Sequence, residues 1–374
     1  MLSYSRQSID QSDIDAAIAV MQSSHLTQGK ETKEFEAALA NYIGVEYVSV
    51  LNSATSALLS TYLAYEFTEN DEVITTPNSF VATTNMIVAS GAKPVFVDIK
   101  YDGNINPEKI EACITPKTKA IVSVDYAGKP VEVQKIQSLC QKYNLIFISD
   151  SSHALGSSID GVKVGNFADA TIFSFHAIKP ITTFEGGAVA TNDRALYQKI
   201  EHIKSHGVVK KSLWNSDMVS LGYNFRLSDV AAAVGKSQLK RIDSFIAQRE
   251  KIATYYDEVF QNNPYFTTIA LDKNIQSSRH LYPILLDRSL HCAKEEIYRS
   301  LHQKGIGVQV HYKPIHTNSY YKNLLGEQNL PVAIDFYKSE LSLPCHQQMS
   351  IDDAKFVTNS LFEILSKGRV CKNL

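Results

Sequence analysis

A chain of 374 residues with 44% hydrophobic and 20% charged residues has an ordinary globular composition and is long enough for two cores rather than one. Its formal net charge of −2, with no dense run of lysine and arginine, excludes nucleic-acid binding driven by bulk charge. No basic leader with an apolar core opens the chain and no apolar run approaches membrane-spanning length, so a cytoplasmic location is expected.

Residues 11–22 place Ile14, Ile18 and Met21 at helical spacing behind a capping-type Ser12. A polar turn over residues 23–30 leads to a second amphipathic helix carrying Phe35, Leu39 and Tyr42. With His25, Leu26, Thr27 and Gln28 it holds more polar chemistry than a connection requires. It is a candidate ligand loop as well as a plain connector.

From Val45 the pattern becomes strand, turn and helix. Strands are predicted at 45–51, 72–76, 94–99, 120–125, 145–149, 170–175 and 187–191. Helical stretches are predicted at Ser56–Tyr65, Ser79–Ala89, Pro107–Cys113 and Val131–Tyr143. The alternation predicts an α/β fold with a mostly parallel sheet covered on both faces, where ligands bind beyond the carboxyl ends of the strands.

Those ends carry the chemistry. Asn52-Ser-Ala-Thr-Ser-Ala-Leu58 opens a helix with small polar residues, as a phosphate seat does and as a simple Ser/Thr cap also does. Phe80 falls in the first turn of the next helix, near the ligand edge, where a core role would also explain it. Asp150 ends a buried strand and needs a partner: capping its own turn would suffice, and a protonated heterocyclic nitrogen is the sharper alternative. Lys179 lies in a polar turn between the apolar runs 171–175 and 188–190, where an ammonium must stay solvated, find a partner or lose basicity.

Beyond Thr191, helical patterns cover Arg194–His206 and Gly222–Gly235, and a long helix from about Leu239 to Phe260 bridges to a second unit. There, strands are predicted at Arg279–Leu286, Ile306–Tyr312 and Glu340–Pro344, with helices near 293–303 and 351–366. The expected division is a large domain over 1–240, including a helical arm over 1–44, and a small α+β domain over 241–374. The five cysteines (Cys113, Cys140, Cys292, Cys345, Cys371) are scattered and never form C-x-x-C, so reduced thiols and no metal site are expected.

One cofactor accounts for a phosphate seat, an aromatic, a strand-end carboxylate and a lysine in a turn. Pyridoxal 5'-phosphate needs its phosphate anchored, its ring covered, its pyridine nitrogen kept protonated and its aldehyde held by a lysine. Asp150 and Lys179 suit the last two tasks, with Lys179 also carrying the proton once substrate displaces it. A nicotinamide-dependent oxidoreductase is disfavoured, because the first strand lacks a G-x-G-x-x-G turn. Retention of both Asp150 and Lys179 disfavours a non-catalytic binding role.

Over essentially its whole length the chain resembles the DegT/DnrJ/StrS sugar aminotransferases, fold-type I pyridoxal phosphate enzymes. The motifs are Asn52–Leu58, Thr75–Thr83, Asp150–Gly156, Ser174–Lys179, Glu185–Gly187, Ser205–Gly207 and Gly222–Arg226. The resemblance implies that Ala54, Thr55 and Ser174 hold the cofactor phosphate, that Phe80 stacks on the ring, and that His153 lies near its phenolic oxygen. It implies a homodimer in which Asn224 reaches the neighbouring active site. A related 3-dehydratase branch has histidine at the position of Lys179.

Within the family, Val124–Lys129, Ser149–Ala154, Phe175–Thr183 and Gln309–Pro314 are most similar to the C4 aminotransferase branch of pseudaminic acid biosynthesis. That branch implies transfer from L-glutamate to UDP-2-acetamido-2,6-dideoxy-β-L-arabino-hexos-4-ulose, giving UDP-4-amino-4,6-dideoxy-N-acetyl-β-L-altrosamine. The sugar nucleotide is expected against Tyr4, the turn His25, Leu26, Thr27 and Gln28, and His311, Tyr312 and Lys313. The alternative is a C4 or C3 aminotransferase of another nucleotide-activated keto-deoxy sugar. Phe184 departs from the glycine that many relatives place before Glu-Gly-Gly.

Overall fold

The computed structural model describes residues 1–367. Helices α1 (Gln11–Met21) and α2 (Lys30–Ile43) precede β1 (Tyr47–Leu51), followed by α3 (Ala54–Ala64), β2 (Glu72–Thr75), α4 (Ala82–Ala89) and β3 (Lys93–Phe96). Next come β4 (Thr118–Val124), α5 (Val133–Tyr143), β5 (Ile146–Asp150), a short hairpin of β6 (Ser158–Ile159) and β7 (Val162–Lys163), then β8 (Ala170–Ser174) and β9 (Gly187–Thr191). Seven of these strands form one sheet in the order β1-β9-β8-β5-β4-β2-β3. β9 runs against both its neighbours and the other adjacent pairs are parallel, as the alternating pattern predicts.

Side-chain alternation along the strands divides the core into layers. Val48 and Val50, Phe173, and Ala188 and Ala190 pack with Phe35, Leu39 and Ile43 of α2. Leu51, Ile172 and Val189 point the other way, toward Ala57, Leu58 and Tyr62 of α3. Ile74, Ile121 and Phe147 bury Val133 and Ile136 of α5. Each fully buried Val, Leu, Ile or Phe side chain contributes roughly 1.5–3 kcal/mol, so the strand ends are set on a rigid floor.

After β9 come α6 (Arg194–Lys204), a second hairpin of β10 (Val208–Lys210) and β11 (Ser216–Met218), α7 (Asp229–Leu239) and α8 (Ile242–Val259). Lys204, at the end of α6, is buried between two carboxylates. Its Nζ lies 2.9 Å from Glu36 and 2.9 Å from Ser49 Oγ and also pairs with Glu201, tying α6 and α2 to β1.

The remaining chain carries β12 (Phe266–Thr268), β13 (Ile275–Gln276), β14 (Tyr282–Leu286), α9 (Lys294–Gln303), α10 (Ser319–Leu325), α11 (Pro331–Ser339), β15 (Glu340–Leu343) and α12 (Ile351–Lys367). A separate apolar core of Ile252, Tyr256, Ile284, Leu301, Leu341 and Leu361 lies beneath the antiparallel β12-β14-β15 sheet. The N-terminal residues are stitched to this part: Leu2 N–H donates to Gly305 O at 2.7 Å, and Gly307 N–H to Leu2 O at 2.8 Å.

Several expectations change. The cap of α1 is Asp10, whose carboxylate accepts from the N–H groups of Ser12 and Asp13, rather than Ser12. Pro107–Cys113 forms two short 3-10 turns. Residues 222–228 are not helical, because Asn224 and Arg226 bridge to Ser205 and Leu51, and α7 starts at Asp229 behind a Ser228 cap. Ile306–Tyr312 forms no ladder, since its backbone bonds alternate between Leu2, Ser342 and the Glu340 carboxylate. Cys113, Cys140 and Cys345 are free thiols, whereas Cys292 is disulfide-bonded and departs from the expectation, and Cys371 lies outside the described residues.

Candidate active site

Beyond the carboxyl ends of β1, β2, β5 and β8 lies a cavity of about 470 Å³. Its wall includes Ala54, Thr55, Phe80, Asp150, His153, Ser174 and Lys179, seven of the eight residues expected to hold a cofactor.

The N-terminus of α3 forms one side. Ser53 caps it, taking the Ser56 N–H at 3.0 Å, and Ser53 O takes the Ala57 N–H at 3.1 Å. The N–H groups of Ala54 and Thr55 have no carbonyl within their own helix to bond, and no acidic side chain occupies the first turn. This is a seat for an anion. Gly187, at the start of β9, makes it possible: a Cβ there would stand 2.4 Å from Ala54 N.

Asp150 is buried and held by three donors. Thr83 Oγ1 donates to Oδ2 at 2.6 Å, and Ser152 donates to Oδ1 through its N–H at 3.2 Å and its hydroxyl at 2.6 Å. Phe80 lies just before α4 and is 60% exposed at the mouth. That exposure rules out a core role and leaves its ring free to cover a flat ligand.

Lys179 sits in the turn between β8 and β9, its N–H donating to His176 O at 2.9 Å. The hydroxyl of Ser5 donates to Ile178 O at 2.9 Å, fastening the turn to the N-terminal segment. Lys179 is half-buried and faces this cavity. Burial lowers its basicity to about 7, Asp150 works against that, and Arg249 adds to it. The turn contains Phe184 at φ +69°, the left-handed region that a glycine enters without cost.

The far wall is aromatic. Ala127 N–H donates to His153 Nδ1 at 3.3 Å, so the proton of the neutral ring is on Nε2, 3.1 Å from Tyr312 Oη. Burial, then the nearby Lys179 charge, hold His153 well below its ordinary basicity. Tyr4 packs on His311 with ring centroids 5.3 Å apart, and His311 Nδ1 meets Ser342 Oγ at 2.8 Å. His280 also enters, its Nε2 3.4 Å from Lys179 Nζ. Sequence reading missed it: His280 falls inside the predicted strand Arg279–Leu286, where a lone histidine carries no motif signal, and the observed strand starts only at Tyr282.

Of the expected substrate residues, Tyr4, His311 and Tyr312 line this cavity. Lys313 is exposed beside it. The turn from His25 to Gln28 lies outside it, exposed, with Leu26 O accepting from Asp229 N–H at 2.9 Å and Thr27 bridged to Ser228. Asn224 is also outside and exposed, its carbonyl accepting from Asn52 Nδ2 at 3.4 Å. Among the described residues no His, Cys, Asp and Glu cluster could hold a metal ion.

The set fits pyridoxal phosphate: a seat for an anion, a buried carboxylate across from a lysine of lowered basicity, and a free aromatic face. Comparison with known proteins agrees. A protein of Campylobacter jejuni described as UDP-4-amino-4,6-dideoxy-N-acetyl-beta-L-altrosamine transaminase is 54% identical over 370 residues, covering 98% of each chain. The structure of Helicobacter pylori PseC, an aminotransferase involved in pseudaminic acid biosynthesis, superposes with a TM-score of 0.96 at 48% identity, covering 98% of this chain and 99% of that one. The PLP form of the sugar aminotransferase Spr1654 of Streptococcus pneumoniae gives a TM-score of 0.92 at 31% identity, covering 97% and 98%. Residues 7–362 match the profile of the DegT/DnrJ/EryC1/StrS aminotransferase family, and the chain belongs to that family.

Proposed function

We propose that this aminotransferase uses pyridoxal 5'-phosphate to move the amino group of L-glutamate to C4 of UDP-2-acetamido-2,6-dideoxy-β-L-arabino-hexos-4-ulose. The product is UDP-4-amino-4,6-dideoxy-N-acetyl-β-L-altrosamine, a step of pseudaminic acid biosynthesis. The observation that carries the chemistry is the meeting of Lys179, Asp150 and the N-terminus of α3 at one cavity. The named activity of relatives at 54% and 48% identity supports the sugar.

Bound pyridoxal phosphate supplies an aldehyde that accepts and returns the amino group and a ring that takes up the electron pair of a broken C–H bond. The Ala54 and Thr55 N–H groups and the Ser174 hydroxyl would hold its phosphate, and Phe80 would cover its ring, a contact worth about 1 kcal/mol beyond area. Asp150, fixed by Thr83 and Ser152, presents its carboxylate to the pyridine nitrogen. His153 would offer its Nε2–H to the phenolic oxygen of the ring. Lys179 Nζ is partly free base at neutral pH; it would hold the cofactor through its aldehyde and, as the free amine, would move a proton between the nitrogen-bearing carbon of the substrate and the cofactor carbon that bore the aldehyde.

Tyr4, His311 and Tyr312, with Lys313 at the rim, receive the sugar nucleotide. In a homodimer the exposed Asn224 reaches the neighbouring phosphate site, and the exposed turn of His25, Leu26, Thr27 and Gln28 lies against sugar nucleotide. Residues 1–240 form the cofactor domain and 241–374 a smaller one, consistent with the separate core beneath β14. Among the described residues no helix is long and apolar enough to cross a membrane, and we place the enzyme in the cytoplasm.

Purified protein should be yellow, and Lys179→Ala should abolish borohydride trapping of the cofactor. Incubation with candidate UDP-4-keto sugars and glutamate, followed by NMR of the amino sugar, tests the rest. Amination at C3, or preference for the epimeric D-xylo ketosugar, would overturn the substrate assignment.

A further inference from the structure

His280 stands two residues ahead of β14, and the chemistry derived above makes no use of it. Its Nε2 lies 3.4 Å from Lys179 Nζ, and its ring packs against His153 with centroids 4.4 Å apart. Its other nitrogen, Nδ1, is buried with no hydrogen-bond partner among the described residues. Behind the ring, the buried Arg249 fixes the main chain. Its Nη1 donates to the carbonyls of Arg279 and His280 at 3.3 Å each and to that of Cys345 at 2.8 Å.

The unpartnered Nδ1 decides between two arrangements. Burial first, then the Lys179 charge, keeps the imidazole well below its ordinary basicity, so it is neutral and carries one proton. A proton on Nδ1 would leave a buried N–H without an acceptor, a group proteins rarely orphan. A proton on Nε2 leaves only a lone pair unused and gives the N–H an acceptor, the lysine nitrogen 3.4 Å away. An ammonium has no lone pair to accept with, so this bond exists only with the neutral amine.

We propose that His280 is a positioning residue for the transfer reaction, donating its Nε2–H to the lone pair of Lys179 Nζ and thereby favouring the free-base amine and aiming it into the cavity. The inference rests on Lys179 being the reacting amine. Asp150, at the end of β5, opposes the effect by attracting the ammonium, and Arg249, from α8, reinforces it. His153 and His311, both lowered by burial, contribute no charge at neutral pH.

The test is competitive acetylation of the full chain freed of cofactor, reading the Lys179 peptide by mass spectrometry from about pH 6 to pH 10. Labelling of the wild type should have its midpoint near 7. His280→Phe keeps a ring but no donor and should raise the midpoint by about one pH unit, a roughly fivefold loss of free amine at pH 7. A more apolar neighbour alone would lower it, so the sign separates hydrogen bonding from packing. His280→Gln, whose amide can donate from nearly the same place, should restore the wild-type midpoint. An unchanged or lower midpoint in His280→Phe would overturn the proposal. A second measurement needs no apolar variant: 15N-histidine NMR of the wild type, with the His280 signal assigned by its loss in His280→Gln. A proton on Nε2 supports the proposal and one on Nδ1 overturns it. Neither experiment contains a sugar or an amino donor, so failure of the substrate assignment would leave both readouts unchanged.

Discussion

Replacing Lys179 by methionine in the cofactor-free chain removes a half-buried amine, and its basicity dictates how the stability change depends on pH. The ordinary lysine value is 10.5, and burial brings Lys179 to about 7 in the folded chain. Between the two values the unfolded chain binds the proton and the folded chain does not, so the wild type gains stability as pH rises. Below about 7 both states are protonated, and the folded state bears the full cost of an ammonium removed from water. Each pH unit in the window is worth about 1.4 kcal/mol, and the whole effect about 5 kcal/mol. Lys179→Met should be the more stable chain at pH 7, with an advantage that shrinks by about 2 kcal/mol by pH 9. Urea titrations at pH 7, 8 and 9, at one chain concentration, measure this. A gap independent of pH would show that the amine keeps its ordinary basicity, and the role assigned to its burial would be wrong.

Lys204→Met leaves Glu36 and Glu201 facing each other without their shared cation and should destabilise the chain by about 3–5 kcal/mol, read by urea denaturation. Gly187→Ala drives a methyl group into Ala54 N and should cost about 1–3 kcal/mol while weakening cofactor binding, measured by fluorescence titration with pyridoxal phosphate. At Phe184, glycine should stabilise by about 0.5 kcal/mol, since relief of the left-handed backbone exceeds the added chain entropy. Valine there should destabilise by about 1 kcal/mol, because a β-branched side chain tolerates that region worst.

The sheet was legible because its strands are buried on both faces and its crossovers are amphipathic, so the hydrophobic period changes at every boundary. Asp150 and Lys179 were legible because strand-end position gives a charged residue a place at the ligand edge. Phe80 was ambiguous by itself, since nothing in an aromatic side chain says whether its turn is covered. Residues 222–228 misled because Ala231, Ala232 and Ala233 extend a helical pattern backward over a segment whose backbone pairs with Ser205 and Leu51 instead. Ile306–Tyr312 has strand composition but shares its bonds among three partners, which only the tertiary arrangement reveals. His280 reaches Lys179 across 101 positions of sequence, and that distance is invisible to any local pattern.

The first five residues are a short strap with an anchor at each end. Leu2 is bonded to Gly305 and Gly307, in the part of the chain beneath β14 and β15, and Ser5 holds the carbonyl of Ile178 beside Lys179. Midway, Tyr4 O accepts from Cys345 N–H at 3.1 Å. From Leu2 to Ser5 is three peptide steps, at most about 10 Å of taut chain. A strap that short has no slack: a swing of the C-terminal body must release an anchor or tug the lysine turn. Loosening Leu2 or Ser5 therefore acts on the turn that carries Lys179.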